Sequence, residues 1–297
     1  MPSWGTVLDN LKNTPNPMDA MRRKYLGTMH KYTGRNIIAY YSAFVQKPRI
    51  DGTGIDDNDK NAFMQAVCGL DRSKGLDLIL HTPGGQIAAA ESLVSYLKAL
   101  FGKDIRVFVP QIALSSKEII MGKQSNLGPI DPQFGGMSCA GIIEEFNEAC
   151  SDVKANPEMA RVWGPIISKY HPTFIGDCKK AMTWADTIVN KWLTENMFSA
   201  YTDAEARARK VVDALSSHNA TYSHSRHIHI DELNNLGLKI VPLERLDDRQ
   251  IDDCKDLQDC VLTIHHSFMQ TLSSTNALKI VENHAGQAMI INASQQA

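Results

Sequence analysis

The segment from Leu76 to Val109 places the tightest limit on what this chain can fold into. Leu76-Asp77-Leu78-Ile79-Leu80 is a strand-like run, and His81-Thr82-Pro83-Gly84-Gly85 is a sharp turn. Ile87, Ala90, Leu93, Val94, Leu97, Leu100 and Phe101 then recur at spacings of three and four, the period of a helix with one apolar face. Ile105-Arg106-Val107-Phe108-Val109 is a second strand-like run. Strand, helix and strand in that order predict a β-α-β unit. The expected fold is therefore α/β, with a mostly parallel sheet flanked by helices and a right-handed crossover.

The rest of the chain is read around that unit. Residues 1–34 are expected to be helical and polar, with Arg22, Arg23 and Lys24 as a solvated face and Gly34 as the stop. Asn36 to Tyr41 is expected to be a buried strand. Asp56 should cap a helix to about Cys68 that places Phe63, Met64 and Val67 on one face. Glu118 to Met121 forms a further short strand, and Gly128 to Pro132 a rigid loop. From about residue 140 the chain is mainly helical, with amphipathic helices over Thr183–Phe198 and Thr202–Leu215. Asp231 caps a short helix that stops at Gly237, and Leu238 to Val241 resembles a terminal strand. Asp256 to Ile280 is expected to be one long helical stretch. The domain expectation is a helical segment over 1–34, an α/β domain over 35–245 and a helical segment over 246–297.

Composition excludes several classes. At 297 residues the chain can bury roughly 75% of its unfolded surface, so a core needs no disulfide. A net charge of -2 offers no global basic field for nucleic acid or an anionic membrane. No run of 18 apolar residues is present, so no membrane span is expected. Met1 to Asn13 does not have the form of a secretory signal. Six scattered cysteines without a Cys-x-x-Cys pair read as free thiols, which makes the cytoplasm the expected location.

The chemistry is sought at the glycine turn. A strand that ends in Pro83-Gly84-Gly85 and passes at once into a helix offers bare backbone N–H groups, suited to phosphate or to an oxyanion. No phosphate-loop or dinucleotide glycine pattern is present. Val109-Pro110-Gln111-Ile112-Ala113-Leu114-Ser115 follows the next strand. A serine just past that strand's carboxyl end would share a rim with the glycine turn, the geometry of acyl transfer.

Those two stretches, followed by Gly122-Lys123-Gln124-Ser125-Asn126-Leu127-Gly128-Pro129-Ile130-Asp131-Pro132-Gln133, occur in an order that resembles the serine dehydrogenase proteinase family of the Clp protease and crotonase group. The resemblance covers most of the chain. It includes Tyr32-Thr33-Gly34-Arg35-Asn36, Asp71-Arg72-Ser73-Lys74-Gly75, Ser168-Lys169-Tyr170-His171-Pro172-Thr173-Phe174 and Arg226-His227-Ile228-His229-Ile230-Asp231-Glu232. It implies a soluble serine peptidase of Clp/crotonase-like fold, acting on peptides or proteins as a homo-oligomer without a cofactor or metal. Ser115 would be the nucleophile, and Gly84 or Gly85 an oxyanion donor. For the general base the resemblance leaves Asp131, Lys154, Lys169 and His171.

The chain departs from the family just after the serine. The family continues with Ala-Gly-Thr and an apolar helix, whereas here Ser115 is followed directly by Ser116-Lys117-Glu118. Roughly two helical turns are absent. Residues 111–117 separate the two candidate strands, and a parallel crossover with its helix needs ~10–12 residues. Either those strands are not parallel neighbours or a segment is missing. Ser116 is an equally placed neighbour of Ser115. A catalytically impaired protein of the same fold, serving as an assembly or regulatory subunit, is thus the alternative to a peptidase. An acyl-CoA enzyme on the same scaffold lacks a recognisable acidic pair. His227-x-His229-x-Asp231 has the alternation of a zinc site on a strand. It also fits an extended stretch leading into a capped helix, and that is the expectation here. The apolar positions Val261, Leu262, Ile264, Phe268, Met269 and Leu272 would leave an exposed patch on the last helix if unpaired, which points to self-association.

Overall fold

The computed structural model describes residues 17–108, 114–216 and 226–293. They fall into two compact units, one built from residues 1–127 with 229–297 and the other from 128–228.

The first unit is organised on a seven-stranded sheet. Its strands are β1 (Asn36–Ser42), β2 (Leu76–His81), β3 (Ile105–Phe108), β4 (Glu118–Met121), β7 (Ile240–Pro242), β8 (Ala277–Asn283) and β9 (Ala288–Asn292), in the order β7-β4-β3-β2-β1-β8-β9. From β1 to β7 all neighbours are parallel, while β8 and β9 continue the sheet antiparallel. The expected β-α-β unit is present: α3 (Ile87–Phe101) links β2 to β3, which pair in parallel from Leu76↔Ile105 to Ile79↔Phe108.

Two layers cover the sheet. On one face α1 (Pro17–Thr33) and α9 (Leu257–Ser274) enclose Ile37, Ala39 and Tyr41 of β1 together with Ile79, Phe108 and Ile120. Residues of α9 such as Ile264, Phe268 and Leu272 are fully buried there, each worth about 1.5–3 kcal/mol of apolar burial. The apolar stripe of α9 is thus covered by the chain's own α1 and sheet, so the exposed patch expected from its sequence does not exist. On the other face Tyr40 meets Phe63 of α2 (Asp57–Ala66), with ring centroids 5.8 Å apart. Asp56 caps α2 as expected and forms a capping box with Asp59. Met64, expected on the buried face, is exposed.

Three further expectations change. Arg22 is not a solvated charge: it is 1% exposed, and its guanidinium donates to Glu282, Thr271 and Asp19, each at 2.7 Å. The last helix ends at Ser274, and Ala277–Asn283 is a strand with all seven residues buried. Ser273-Ser274-Thr275-Asn276 is a run of side chains that compete for helical backbone bonds, and the β-branched Ile280 and Val281 fit a pleated surface better. Finally, β3 and β4 are parallel neighbours, with Arg106 opposite Glu118 and Phe108 opposite Ile120. Residues 109–117 join them. A four-residue strand returns over only ~13 Å, and nine residues reach ~30 Å, so that length suffices for a parallel connection.

The second unit is mainly helical, as expected. A hairpin of β5 (Gln133–Phe134) and β6 (Met137–Ser138) leads into α4 (Cys139–Ala155), whose N-cap Ser138 accepts from Gly141 N–H. α5 (Ala160–Ile167) and α6 (Phe174–Trp192) follow, and Cys139, Ile142 and Cys178 form a small core between α4 and α6. Leu193–Met197 is one π-helical turn, after which α7 (Ala204–Ser216) closes the unit. Among the described residues no helix is long and apolar enough to cross a membrane.

Candidate active site

The glycine turn at the carboxyl end of β2 is built from both sides. Thr82 Oγ1 accepts from Gly84 N–H at 3.3 Å, and Gly84 takes φ +97°, a conformation that requires glycine. Its carbonyl accepts from Ile55 N–H at 2.8 Å, and Gln86 N–H donates to the Ile55 carbonyl at 2.9 Å. Ile55 therefore clamps the turn like a one-residue strand. A Cβ on Gly85 would sit 2.2 Å from Ile55 N and 2.3 Å from Ile55 O, so close backbone approach explains this second glycine. Gly85 is exposed, and among the described residues its N–H has no partner. It is thus the available donor of the pair, since Gly84 N–H is engaged.

His81 lies under the turn. It is 5% exposed, donates through Nδ1 to the Ser42 carbonyl at 3.2 Å, stacks on Tyr41 and meets His265 edge-on at 5.5 Å. Burial pushes its pKa down to about 4 and that of His265 to about 3, so both rings are neutral near pH 7. Three hydroxyls of this rim are committed to backbone. Ser42 donates to the Thr53 carbonyl, Thr82 serves Gly84, and Ser125 accepts from Gly122 N–H at 3.1 Å.

Ser115 lies at the opposite rim. Lys117 N–H donates to the Ile105 carbonyl at 2.9 Å, and Glu118 pairs with Arg106, which pairs with Asp77. Ser115 therefore precedes β4 at the amino ends of the parallel strands, whereas Gly84 and Gly85 follow the carboxyl end of β2. The six residues of β2 span ~20 Å, and the two residues from Lys117 back to Ser115 recover at most ~7 Å of it. An oxyanion donor must lie about 3 Å from the reacting oxygen, so the structure does not bring Ser115 and the glycine turn together. The shared rim expected from the sequence depended on a connection that returns to the next strand only after its serine. Here the serine sits at the end of that return. Ser115 is half-buried, while Ser116 is buried and its Oγ donates to the Glu118 carbonyl at 2.9 Å.

The amino rim that receives Ser115 is strongly charged. Asp77, wholly buried, accepts from Arg35 Nε at 2.6 Å and from Arg106 at 2.8 and 2.6 Å. Arg35 also reaches Asp104 at 2.8 Å, and that bond holds the Asp104 carboxyl below its ordinary range.

The candidate bases all belong to the second unit. Asp131 accepts from Ser138 Oγ at 2.8 Å, ahead of α4, while Lys154, Lys169 and His171 are exposed. In the histidine stretch, His227 and His229 are exposed, and His229 rather than Asp231 precedes α8 (Ile230–Asn235) as its N-cap. Asp231 falls inside the first turn of that helix. Among the described residues no group of three His, Cys, Asp or Glu side chains is placed to hold a metal ion. The sequence reading missed Ile55 and Lys279. An isolated isoleucine carries no local signal of a clamp. A lysine in the apolar run Ala277 to Val281 is a detectable anomaly.

Comparison with known proteins agrees with this frame. The model of the ClpP-like SDH-type serine proteinase family matches residues 52–244, well over half of the chain. Two uncharacterized proteins of Methanocaldococcus jannaschii, MJ0137 and MJ1495, are 27% and 26% identical to it over 190 residues. Each alignment takes in 61% of this chain, and the chain spans 59% and 57% of those proteins. No solved structure matches.

Proposed function

Because the chain belongs to the ClpP-like SDH-type serine proteinase family, we propose that it keeps a peptide-binding frame with an oxyanion-type turn but hydrolyses peptides poorly or not at all. Its role is then that of an assembly or regulatory subunit. The register of β3 and β4 carries this reading, because it leaves Ser115 at the rim opposite Gly84 and Gly85. Losing one oxyanion donor costs ~10²–10³ in rate, and a nucleophile misplaced by only ~1 Å costs ~10²-fold. The separation here is several times larger. Self-association belongs to the same proposal and is supported by α5, which has no buried residue although it carries Val162, Trp163, Ile166 and Ile167.

The test is labelling by a fluorophosphonate probe together with turnover of a peptide substrate. The chain as it stands is expected to be unlabelled and inactive. Supplying a helical segment between Ser115 and Lys117, in the family's pattern, should raise both signals, and Ser115→Ala in that longer chain should abolish them. Rapid turnover by the unaltered chain that Ser115→Ala removes would overturn the proposal in favour of an active peptidase. Sedimentation as a monomer at micromolar concentration would remove the assembly part.

A further inference from the structure

Lys279 is the most unusual residue of β8. Its side chain is 1% exposed, and its Nζ donates to Asp56 Oδ2 and Asp59 Oδ2, both at 2.9 Å. The two carboxylates belong to the capping box of α2. Asp56 Oδ1 accepts from Asn58 N–H, and Asp59 Oδ2 accepts from Asp56 N–H, each at 2.8 Å. Burial raises the Asp59 carboxyl above its ordinary pKa. Without a cation between them, the buried Asp59 and the partly exposed Asp56 carboxylates disfavour each other's ionised form.

Two arms run from this cluster to the glycine turn. Asp56 adjoins Ile55, whose N–H and carbonyl grip Gly84 and Gln86. Asp59 also accepts from the Tyr40 hydroxyl at 3.1 Å; that hydroxyl interacts with Thr82, and Thr82 Oγ1 accepts the Gly84 N–H. Both arms end on the turn that carries Gly85, whose N–H has no partner among the described residues. The cation at their junction comes from outside the family-matched stretch of 52–244.

We propose that Lys279 is a positioning residue of the Gly84–Gly85 turn: the C-terminal strand β8 supplies the buried ammonium that fixes Asp56 and Asp59 and, through Ile55 and Thr82, the turn itself. The turn's geometry is read from its own amides and not from hydrolysis, so this role and the loss of peptidase activity fail separately.

Site-resolved amide hydrogen exchange on the full chain tests it. In Lys279→Met the amides of Ile55 and Gln86 should exchange at least tenfold faster, while those of Ile38 and Leu78 in the central strands keep their protection. Lys279→Arg, which retains the charge, should stay closer to the unaltered chain. Unchanged exchange at Ile55 and Gln86 would overturn the assignment. So would uniform acceleration across the sheet, or a Lys279→Met chain that does not fold, because either assigns Lys279 to global stability. Asp56→Asn, which keeps an N-capping side chain but removes one partner of the ammonium, should give the same local pattern, and a uniform or absent response there would overturn the assignment as well.

Discussion

At the amino rim of the parallel strands one carboxylate, Asp77, is buried between two guanidiniums. At the carboxyl rim one ammonium, Lys279, is buried between two carboxylates. The two clusters are inverse in charge and different in reach. Arg35, Asp77, Asp104 and Arg106 lie at the starts of three adjacent strands, so the amino rim locks neighbours that the sheet already pairs. Asp56, Asp59 and Lys279 come from a helix start and a strand more than 200 residues later in the chain, and their cluster adjoins a turn whose Gly85 N–H has no partner among the described residues. The amino rim is closed on itself, whereas the carboxyl rim keeps a donor available to a ligand. Ser115 lies at the closed rim.

The largest expected effect tests that closure. Asp77→Ala leaves Arg35 and Arg106 without their shared partner, and breaking a buried pair in this way costs about 3–5 kcal/mol. The midpoint of urea unfolding should fall accordingly. A shift below about 1 kcal/mol would mean that water already screens the two guanidiniums.

Acid probes the other rim. His81 and His265 titrate at about 4 and about 3 in the folded chain, against ~6.5 when unfolded. Between those values the unfolded state binds more protons, so stability is complete above pH ~6.5 and declines as the pH falls towards 4. For His81 the loss at pH 4 is on the order of 2–3 kcal/mol. Unfolding midpoints between pH 7 and 4.5 measure it, and His81→Asn should flatten the slope. An unchanged slope would assign the acid sensitivity to other groups.

Next comes Gly85→Ala. Its Cβ would overlap the Ile55 backbone, and overpacking of this kind costs about 1–3 kcal/mol. Gly69→Ala is the control: φ is +76° there but nothing lies within 4 Å, so only the backbone term of ~1–2 kcal/mol applies. Equal losses at both positions would show that the Ile55 clamp yields easily. The smallest effect belongs to Ser116. Ser116→Ala removes a buried bond to the Glu118 carbonyl and should cost ~1 kcal/mol, read as a shift of the urea midpoint. No shift would mean that the Glu118 carbonyl finds another donor.

Much of the frame was legible in the chain. The alternation of strand runs with the 3.6-residue stripe of Ile87 to Phe101 specified the parallel unit, and Asp56 announced the start of α2. Misreadings arose where a residue's environment is supplied from far away. Arg22 has the sequence context of a solvated charge, and Glu282 and Thr271, far along the chain, join the nearby Asp19 in satisfying it when buried. The run Ala277 to Asn283 mixes helix-compatible and strand-compatible residues, and an open edge beside β1 settles it. Of the candidate site, Gly84 and Gly85 were legible as a turn, but the clamp by Ile55 was not.

The α/β character, the β2-turn-α3-β3 unit, the family frame and the short connection after Phe108 are all written in local runs of residues. These depend on spacings of a few residues, which backbone geometry converts directly into faces and turns. Long-range packing sets the rest: the parallel pairing of β3 and β4 across that short connection, the rim that Ser115 occupies, and the meeting of Lys279 with Asp56 and Asp59. Register and long-range ion pairs are chosen by the free energy of the whole packed sheet, and no local run of residues encodes that choice.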